Sequence, residues 1–254
     1  MEAATAAEDS ADLVRLVVLI AAHAKPDLDV DQVIDEIDQL AARVEPGDLG
    51  ALRRLLFDDL GFIGDSVSYY DAENSYLDSV IRRRTGIPIT LSVLTIAVGS
   101  RAGVPLAAVG MPGHFLVKVS GVPDLFLDPF SGGSLLDVEG CRQIYRRIHG
   151  NDDGFRSDHL RPVGTYTILE RMLNNLLAIF RSGSDPRSQL WVARLRASLP
   201  QATVLHQADV ATALARGGRF DAAADLFDHL AEASDPDTAA SLRAARDRMR
   251  SLMN

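Results

Sequence analysis

The feature that most constrains the fold is a break in helical periodicity between residues 104 and 136. On both sides of this segment, apolar residues recur every three or four positions, as they do in amphipathic helices. Inside it, three short apolar runs separated by glycines predict strands at Leu106–Val109, His114–Val119 and Leu125–Leu127. Strands this close along the chain pair readily in antiparallel fashion. The sequence therefore predicts an α+β domain with N-terminal helices and a small antiparallel sheet.

Residues that are typical of helix starts and helix ends define the predicted helices. Asp31 is the predicted cap of the second helix, and Asn74 or Ser75 is the predicted cap of a later one, Tyr76–Thr85. The helix after that, Ile89–Ala102, is preceded by a proline, as is common where a helix begins. Further helices are predicted over residues 48–60, 137–149, 166–182, 186–198, 202–216, 219–232 and 236–252.

The polar, Gly- and Asp-rich stretch 150–164 is typical of a domain boundary. We therefore predict a flexible tail over residues 1–10, a core domain over residues 11–160 and an all-α domain over residues 165–254. Within the all-α domain, the segment 211–227 has small residues, a Gly-Gly turn, and an aromatic residue followed by alanines. This pattern predicts a helix hairpin of the tetratricopeptide type.

Composition excludes several classes of partner. The net charge of −9 and the pI of about 5.1 argue against general binding to nucleic acid or to anionic lipid. The apolar run from Leu13 to Ala24 is interrupted by Arg15 and is too short to span a bilayer. The single cysteine, Cys141, has no second cysteine to pair with inside the chain, so a reducing, cytoplasmic location is predicted.

Two candidate catalytic residues lie near the ends of predicted strands. His114 begins one strand and Asp128 follows the next, in the order of a general base and the carboxylate that orients it. Such a pair needs a nucleophile, normally a cysteine supplied by an earlier helix. Cys141 comes after both partners, so the order of a cysteine-based triad is not met.

Four segments of this chain, in their order and their residues, resemble motifs of the SirB-type family. That family has a transglutaminase-like (papain-like) core followed by tetratricopeptide-type helices. The resemblance spans roughly residues 12–235 and implies a regulatory or scaffold role through protein contacts. The segments are Tyr69-Tyr-Asp-Ala-Glu-Asn-Ser-Tyr-Leu77, Arg83-Arg-Thr-Gly-Ile-Pro-Ile-Thr-Leu-Ser92, Gly113-His-Phe-Leu-Val117 and Leu127-Asp-Pro-Phe-Ser-Gly-Gly133.

The more distant resemblance to transglutaminases and papain-like enzymes implies where a nucleophile belongs. In those enzymes a cysteine opens a helix that leads to a turn like the one at Gly103, and the corresponding position 15 residues earlier is Pro88. The nearest hydroxyls, Thr90 and Ser92, lie further into the helix, and Ser92 is roughly 6 Å along its axis. A hydroxyl within a helix often bonds its own backbone, so neither replaces a thiol without rearrangement.

Other residues have both structural and functional interpretations. Asn74 and Tyr76 either line the same cleft or serve as a helix cap and a core residue. Asp128 either orients His114 or caps the turn that follows it. With His114 and Asp124 it could in principle bind a metal, but no second histidine lies at ligand spacing, so neither a metal nor another cofactor is predicted.

Two main functional hypotheses follow. The first is a non-catalytic transglutaminase-like protein whose helical tail binds a protein partner. The second is an amide-bond hydrolase or acyl transferase, with His114 as base, Asp128 as orienter and Ser92 or Thr90 as nucleophile. A third possibility is a module that keeps the cleft for a small ligand. The missing cysteine favours the first.

Overall fold

A computed structural model describes the backbone of residues 2–253 and the side chains of residues 13–253. Contacts divide the chain into two compact units, Met1–Leu169 and Glu170–Asn254, and the division falls inside the helix Thr165–Ser182. The tail predicted for residues 1–10 lies outside the residues described in full.

The helices of the first unit follow the predicted apolar stripes, but one predicted cap is wrong. Asp29, not Asp31, caps the second helix, because the Asp29 carboxylate accepts the N–H groups of Asp31 and Gln32 at 3.0 Å. Asp31 lies in the first turn, where a negative charge interacts favourably with the helix dipole. The helices are α1 (Glu2–Ala24), α2 (Val30–Ala41), α3 (Leu49–Arg53, continuing as a π-helical turn over Arg54–Asp59), α4 (Leu77–Arg83), α5 (Pro88–Arg101) and α6 (Val138–His149).

The segment before α4 also departs from its prediction. Residues Ala72–Ser75 form a 3-10 turn, and α4 begins after Tyr76 without a side-chain cap. Asn74 does not cap the helix, because its amide donates to the Asp65 carboxylate at 3.2 Å and to the Ser68 carbonyl at 2.8 Å. These bonds tie the preceding loop to the start of α4.

Helix α5 forms the centre of the first unit. Proline occupies its first position, and its residues from Pro88 to Gly99 are buried. It packs against α1, α2 and two strands of the main sheet, so it has no solvent-facing stripe. Gly103 follows the end of the helix, and its φ of +75° is accessible to glycine without strain.

Two sheets lie in the first unit. The strands β1 (Ile63–Gly64) and β2 (Thr85–Gly86) pair in parallel; β3 (Leu106–Val109), β4 (Leu116–Val119), β5 (Phe126–Asp128) and β6 (Ser134–Leu136) form an antiparallel sheet in chain order. Register is set by pairs such as Ala108 with Val117 and Val117 with Leu127. Strand β4 is shorter than predicted, because His114 lies in the turn before it.

Part of the core lies between the main sheet and α6, and it extends to the polar stretch 150–164. Leu160 is buried in this cluster, and Val163 donates its N–H to the Ala108 carbonyl at 2.9 Å. The stretch is therefore integrated into the first unit despite its composition. The buried residues of the cluster are Val109, Met111, Leu116, Phe126, Cys141, Ile144, Tyr145 and Leu160.

The second unit is built from helices. The remainder of α7 (Thr165–Ser182) is followed by α8 (Pro186–Ala197), α9 (Val204–Arg216), α10 (Phe220–Glu232) and α11 (Pro236–Ser251), close to the predicted bounds. Each of α8 to α10 packs against the next helix in the chain. Ala211, Phe227 and Leu242 join α9, α10 and α11 in one apolar cluster. Among the helices described, none has the length and apolar character needed to cross a membrane.

Candidate functional site

His114 is held at the end of a tight turn by helix α6. The His114 N–H donates to the Met111 carbonyl at 3.0 Å, and Gly113 within the turn has a φ of +74°. A side chain at Gly113 would meet the Ile148 methyl at 2.7 Å, and the His149 ring lies 3.2 Å from the Pro112 carbonyl. The end of α6 therefore packs on the turn that carries His114.

The structure brings His114 and Asp128 together. His114 Nε2 lies 3.0 Å from Asp128 Oδ1, and the two residues are only 8% and 1% exposed. Asp128 Oδ1 also accepts the Phe130 N–H at 3.1 Å, and Oδ2 accepts the Ser131 hydroxyl at 2.7 Å. Both interpretations of Asp128 thus hold at once: one carboxylate contacts the imidazole and caps the 3-10 turn that follows β5.

The pKa of Asp128 is lowered by these partners. Burial, the largest influence, opposes ionisation and by itself raises the pKa. The hydrogen bond and charge of His114, and the bonds from Ser131 and Phe130, outweigh burial and leave the pKa below its ordinary value of 3.8. Asp128 is therefore an anion at neutral pH, a state that favours a proton on the His114 nitrogen facing it.

Substituting Asp128→Asn should lower the free energy of unfolding by about 2–4 kcal/mol at pH 7, because an ionised acceptor of three hydrogen bonds is lost in a buried site. Since the folded pKa is depressed, this stabilisation is present above pH 3.8 and is lost as the pH falls through the folded pKa. Urea unfolding of both proteins from pH 7 to pH 3 measures the difference. A gap that stays constant over this range would contradict the role of the carboxylate charge.

Aromatic side chains continue from His114. Phe130 makes an edge-to-face contact with the His114 ring, with centroids 6.0 Å apart, and Tyr69 contacts Phe130 in the same way at 6.1 Å. Gly64 allows this packing, because a side chain there would meet the Phe130 ring at 2.3 Å. Phe130, Tyr69 and Gly64 therefore border the site, although sequence reasoning gave none of them a role at His114.

The first two turns of α5 hold the candidate hydroxyls. Pro88 is buried at the first position and supplies no nucleophile. Thr90 donates to backbone carbonyls, at 2.6 Å to Asn74 and 3.1 Å to Ile87. Ser92 lies 3.5 Å from the Phe115 carbonyl, at the limit of a hydrogen bond. Among the described residues, the hydrogen-bond partners of both hydroxyls are thus carbonyl oxygens.

The residues assigned to the cleft are fully or nearly buried. Asn74 is 0% exposed, and its side-chain oxygen has no hydrogen-bond partner among the described residues. Its backbone carbonyl accepts from Thr90 and from the Ile87 N–H, so Asn74 lies beside the start of α5. Tyr76 is 3% exposed, and its ring faces the Lys25 ammonium at 4.8 Å.

Cys141 lies in the core near the dyad. Burial raises the pKa of its thiol to about 12, and the negative charges of Asp137 and Asp128 act in the same direction. Asp124 lies in the turn before β5 with a φ of +52°. Across the described part of the chain, no three His, Cys, Asp or Glu side chains are grouped to hold a metal ion.

The profile of the transglutaminase-like superfamily matches residues 27–174, which include α5, the dyad and the main sheet. The chain belongs to this superfamily. A UPF0162 protein of Xylella fastidiosa is 39% identical over 191 residues, which cover 70% of this chain and 68% of that protein. A UPF0162 protein of Vibrio cholerae is 35% identical over 143 residues, covering 54% of this chain and 52% of its own.

A stretch similar to this chain occurs within a longer protein. F-box only protein 21 of Mus musculus is 34% identical over 157 residues, which are 56% of this chain and only 23% of that protein. No solved structure matches. The match to the transglutaminase-like superfamily includes α5, His114 and Asp128, and Pro88 lies at the start of α5 in this chain.

Proposed function

We propose that this transglutaminase-like protein is non-catalytic and acts as a regulatory or scaffold protein through protein contacts. The observation that carries the proposal is the start of α5, where Pro88 occupies the position implied for the nucleophile. Thiol chemistry in such a site depends on a cysteine made acidic by the helix end and by the imidazole. Proline has no group that performs this step.

The neighbouring hydroxyls support the same proposal. Thr90 donates to a carbonyl at 2.6 Å, so a base would first have to break this bond before it removed the proton. Ser92 is 0% exposed and lies beside the Phe115 carbonyl, which provides no hydrogen-bond donor for an oxyanion. The dyad without a nucleophile then orders the turn at Gly113 and the end of β5.

The second unit is the proposed contact surface. Its consecutive helix pairs, with the Gly-Gly turn between α9 and α10, fit a tetratricopeptide-type hairpin array, and such arrays bind peptides or helices of partner proteins. The partial coverage of F-box only protein 21 supports a role for the core as a module within larger proteins. The single, buried cysteine supports a cytoplasmic location.

The proposal is tested by assaying amide hydrolysis and amine incorporation with wild type and His114→Gln, which keeps a donor for Asp128. We expect wild type and His114→Gln to show the same rate as the reaction without protein, because no step uses the imidazole. His229→Ala, at an exposed position on α10, is the matched control. A wild-type rate that exceeds background and disappears only in the His114 variant would refute the non-catalytic proposal.

The contact role needs a separate measurement. Wild type and His114→Gln, each checked by circular dichroism, are used to capture partners, and each captured protein is then used to retrieve this chain. We expect a partner that both proteins retain equally, since contact through the second unit does not involve His114. Failure of every reciprocal capture would contradict the scaffold role.

One observation favours the alternative, an amide-bond hydrolase or acyl transferase. The His114–Asp128 pair keeps the 3.0 Å geometry of a base and its orienter, with the Asp128 pKa lowered. This hypothesis predicts an activity that requires His114 together with Ser92 or Thr90. Ser92→Ala removes one hydroxyl and Thr90→Val removes the other. The same assays then show which of the two hydroxyls the activity requires.

A further inference from the structure

A pocket in the second unit, away from His114 in the chain, is lined by positive charge. It has a volume of about 330 Å³ and lies where the end of α7, the start of α8 and the end of α9 meet. Its volume is within the range of pockets that hold small molecules. The lining residues carry two positive charges and no negative charge: they are Arg181, Ser184, Pro186, Gln189 and Arg216.

A buried amide positions one of the two guanidinium groups. Gln189 is 2% exposed; its side-chain N–H donates to the Phe180 carbonyl at 2.8 Å, and its oxygen accepts from Arg216 at 3.0 Å. Since the two ends of the amide are fixed, the direction of the Arg216 side chain is fixed as well. The partner is neutral, so this bond orients the guanidinium without cancelling its charge.

The second guanidinium belongs to a cluster with excess positive charge. Asp209 accepts from Arg181 and from Arg196, both at 2.5 Å, so one carboxylate serves two cations. Arg216 adds a third guanidinium group, and its bond is to the neutral Gln189 amide. In a chain whose net charge is −9, this is a local reversal of sign.

The favourable interaction of a cation with a helix C-terminus explains only part of the positions of the two arginines. Arg181 and Arg216 lie in the last turns of α7 and α9, where a cation complements the helix dipole. That role is fulfilled by any exposed cation near the last carbonyls. It requires neither a pocket nor a buried Gln189 that holds Arg216 toward it.

We propose that this pocket binds a small dianion, whose oxygen atoms are held by Arg181 and Arg216. Guanidinium groups bind phosphate and carboxylate oxygens through paired hydrogen bonds, and two of them match the charge of a phosphate monoester or a dicarboxylate. The Ser184 hydroxyl supplies a further donor at the rim. The proposal depends neither on whether His114 takes part in catalysis nor on the proposed scaffold role.

The test titrates the full chain with inorganic phosphate, pyrophosphate and succinate by calorimetry at low salt. Saturable binding of at least one anion is expected below about 10 mM, with affinity that falls as salt is added. Arg216→Gln should weaken it about tenfold or more, and Arg181→Gln with Arg216→Gln should abolish it. Phosphate-type and carboxylate-type ligands are distinguished by which probe binds more tightly.

Two further variants make the result specific. Gln189→Glu keeps the size of the side chain but gives Arg216 a carboxylate partner, so binding should weaken although both arginines remain. Arg248→Gln removes the same charge from an exposed position on α11 and should leave binding unchanged. Absence of saturable binding for all three anions, or equal binding by the double variant, overturns the proposal. The arginine variants decide the question even if Gln189→Glu does not fold.

Discussion

Substituting Pro88→Cys is expected to introduce a thiol with a pKa well below that of Cys141, whose pKa burial raises to about 12. Position 88 is the first of α5, and a helix N-terminus stabilises a thiolate. Ser92, one turn later, contacts the carbonyl of Phe115, the residue after His114, so this helix end lies near the dyad. A neighbouring imidazole, held in place by Asp128, would stabilise the thiolate further by accepting the thiol proton.

The measurement is the rate of iodoacetamide labelling as a function of pH. With His114 present, the labelling pKa should be at least about one unit lower than in the variant that also carries His114→Ala, which corresponds to about tenfold more thiolate near neutral pH. Pro236→Cys, at the first position of α11, is the matched control for the effect of a helix N-terminus. An identical pKa with and without His114 would show that position 88 does not face the imidazole.

The second large effect concerns the native thiol. Cys141 should react with a disulfide reagent about a thousandfold more slowly in the folded chain than in denaturant, because burial raises its pKa from 9.0 to about 12 and reduces the thiolate fraction accordingly. Stopped-flow assays with and without guanidinium measure the ratio. A native rate within about tenfold of the denatured rate would contradict the burial of this residue. A slow native rate also leaves a thiol at position 88 as the only fast-reacting group.

Local signals determined how much of the fold could be predicted. The helices from α7 to α11 follow apolar periodicity together with Gly and Pro punctuation, all of which act within a few residues. The strands β1, β2 and β6 have two or three residues, and their formation depends on partners distant in the chain. The sequence does not separate Asp29 from Asp31 as the cap of α2, because both aspartates suit the role chemically.

The candidate site was predictable to a similar degree. The order of His114 and Asp128, together with the family resemblance, led to the pair that lies 3.0 Å apart. The Asp-x-x-Ser spacing from Asp128 to Ser131 is a local signal for the bond between these two side chains. Contacts such as that of His149 with Pro112, 37 residues apart, have no local signal, because they arise from the packing of α6 on a turn.

The double use of the Asp128 carboxylate has a consequence for comparing relatives of this chain. A residue that closes the turn after β5 contributes to stability whether or not the imidazole it contacts ever moves a proton. A His–Asp pair in another member of the superfamily is therefore a poor marker of enzymatic activity. Under the proposed function, the residue that opens the central helix is the more informative marker, since this chain folds with a proline there and thiol chemistry needs a cysteine.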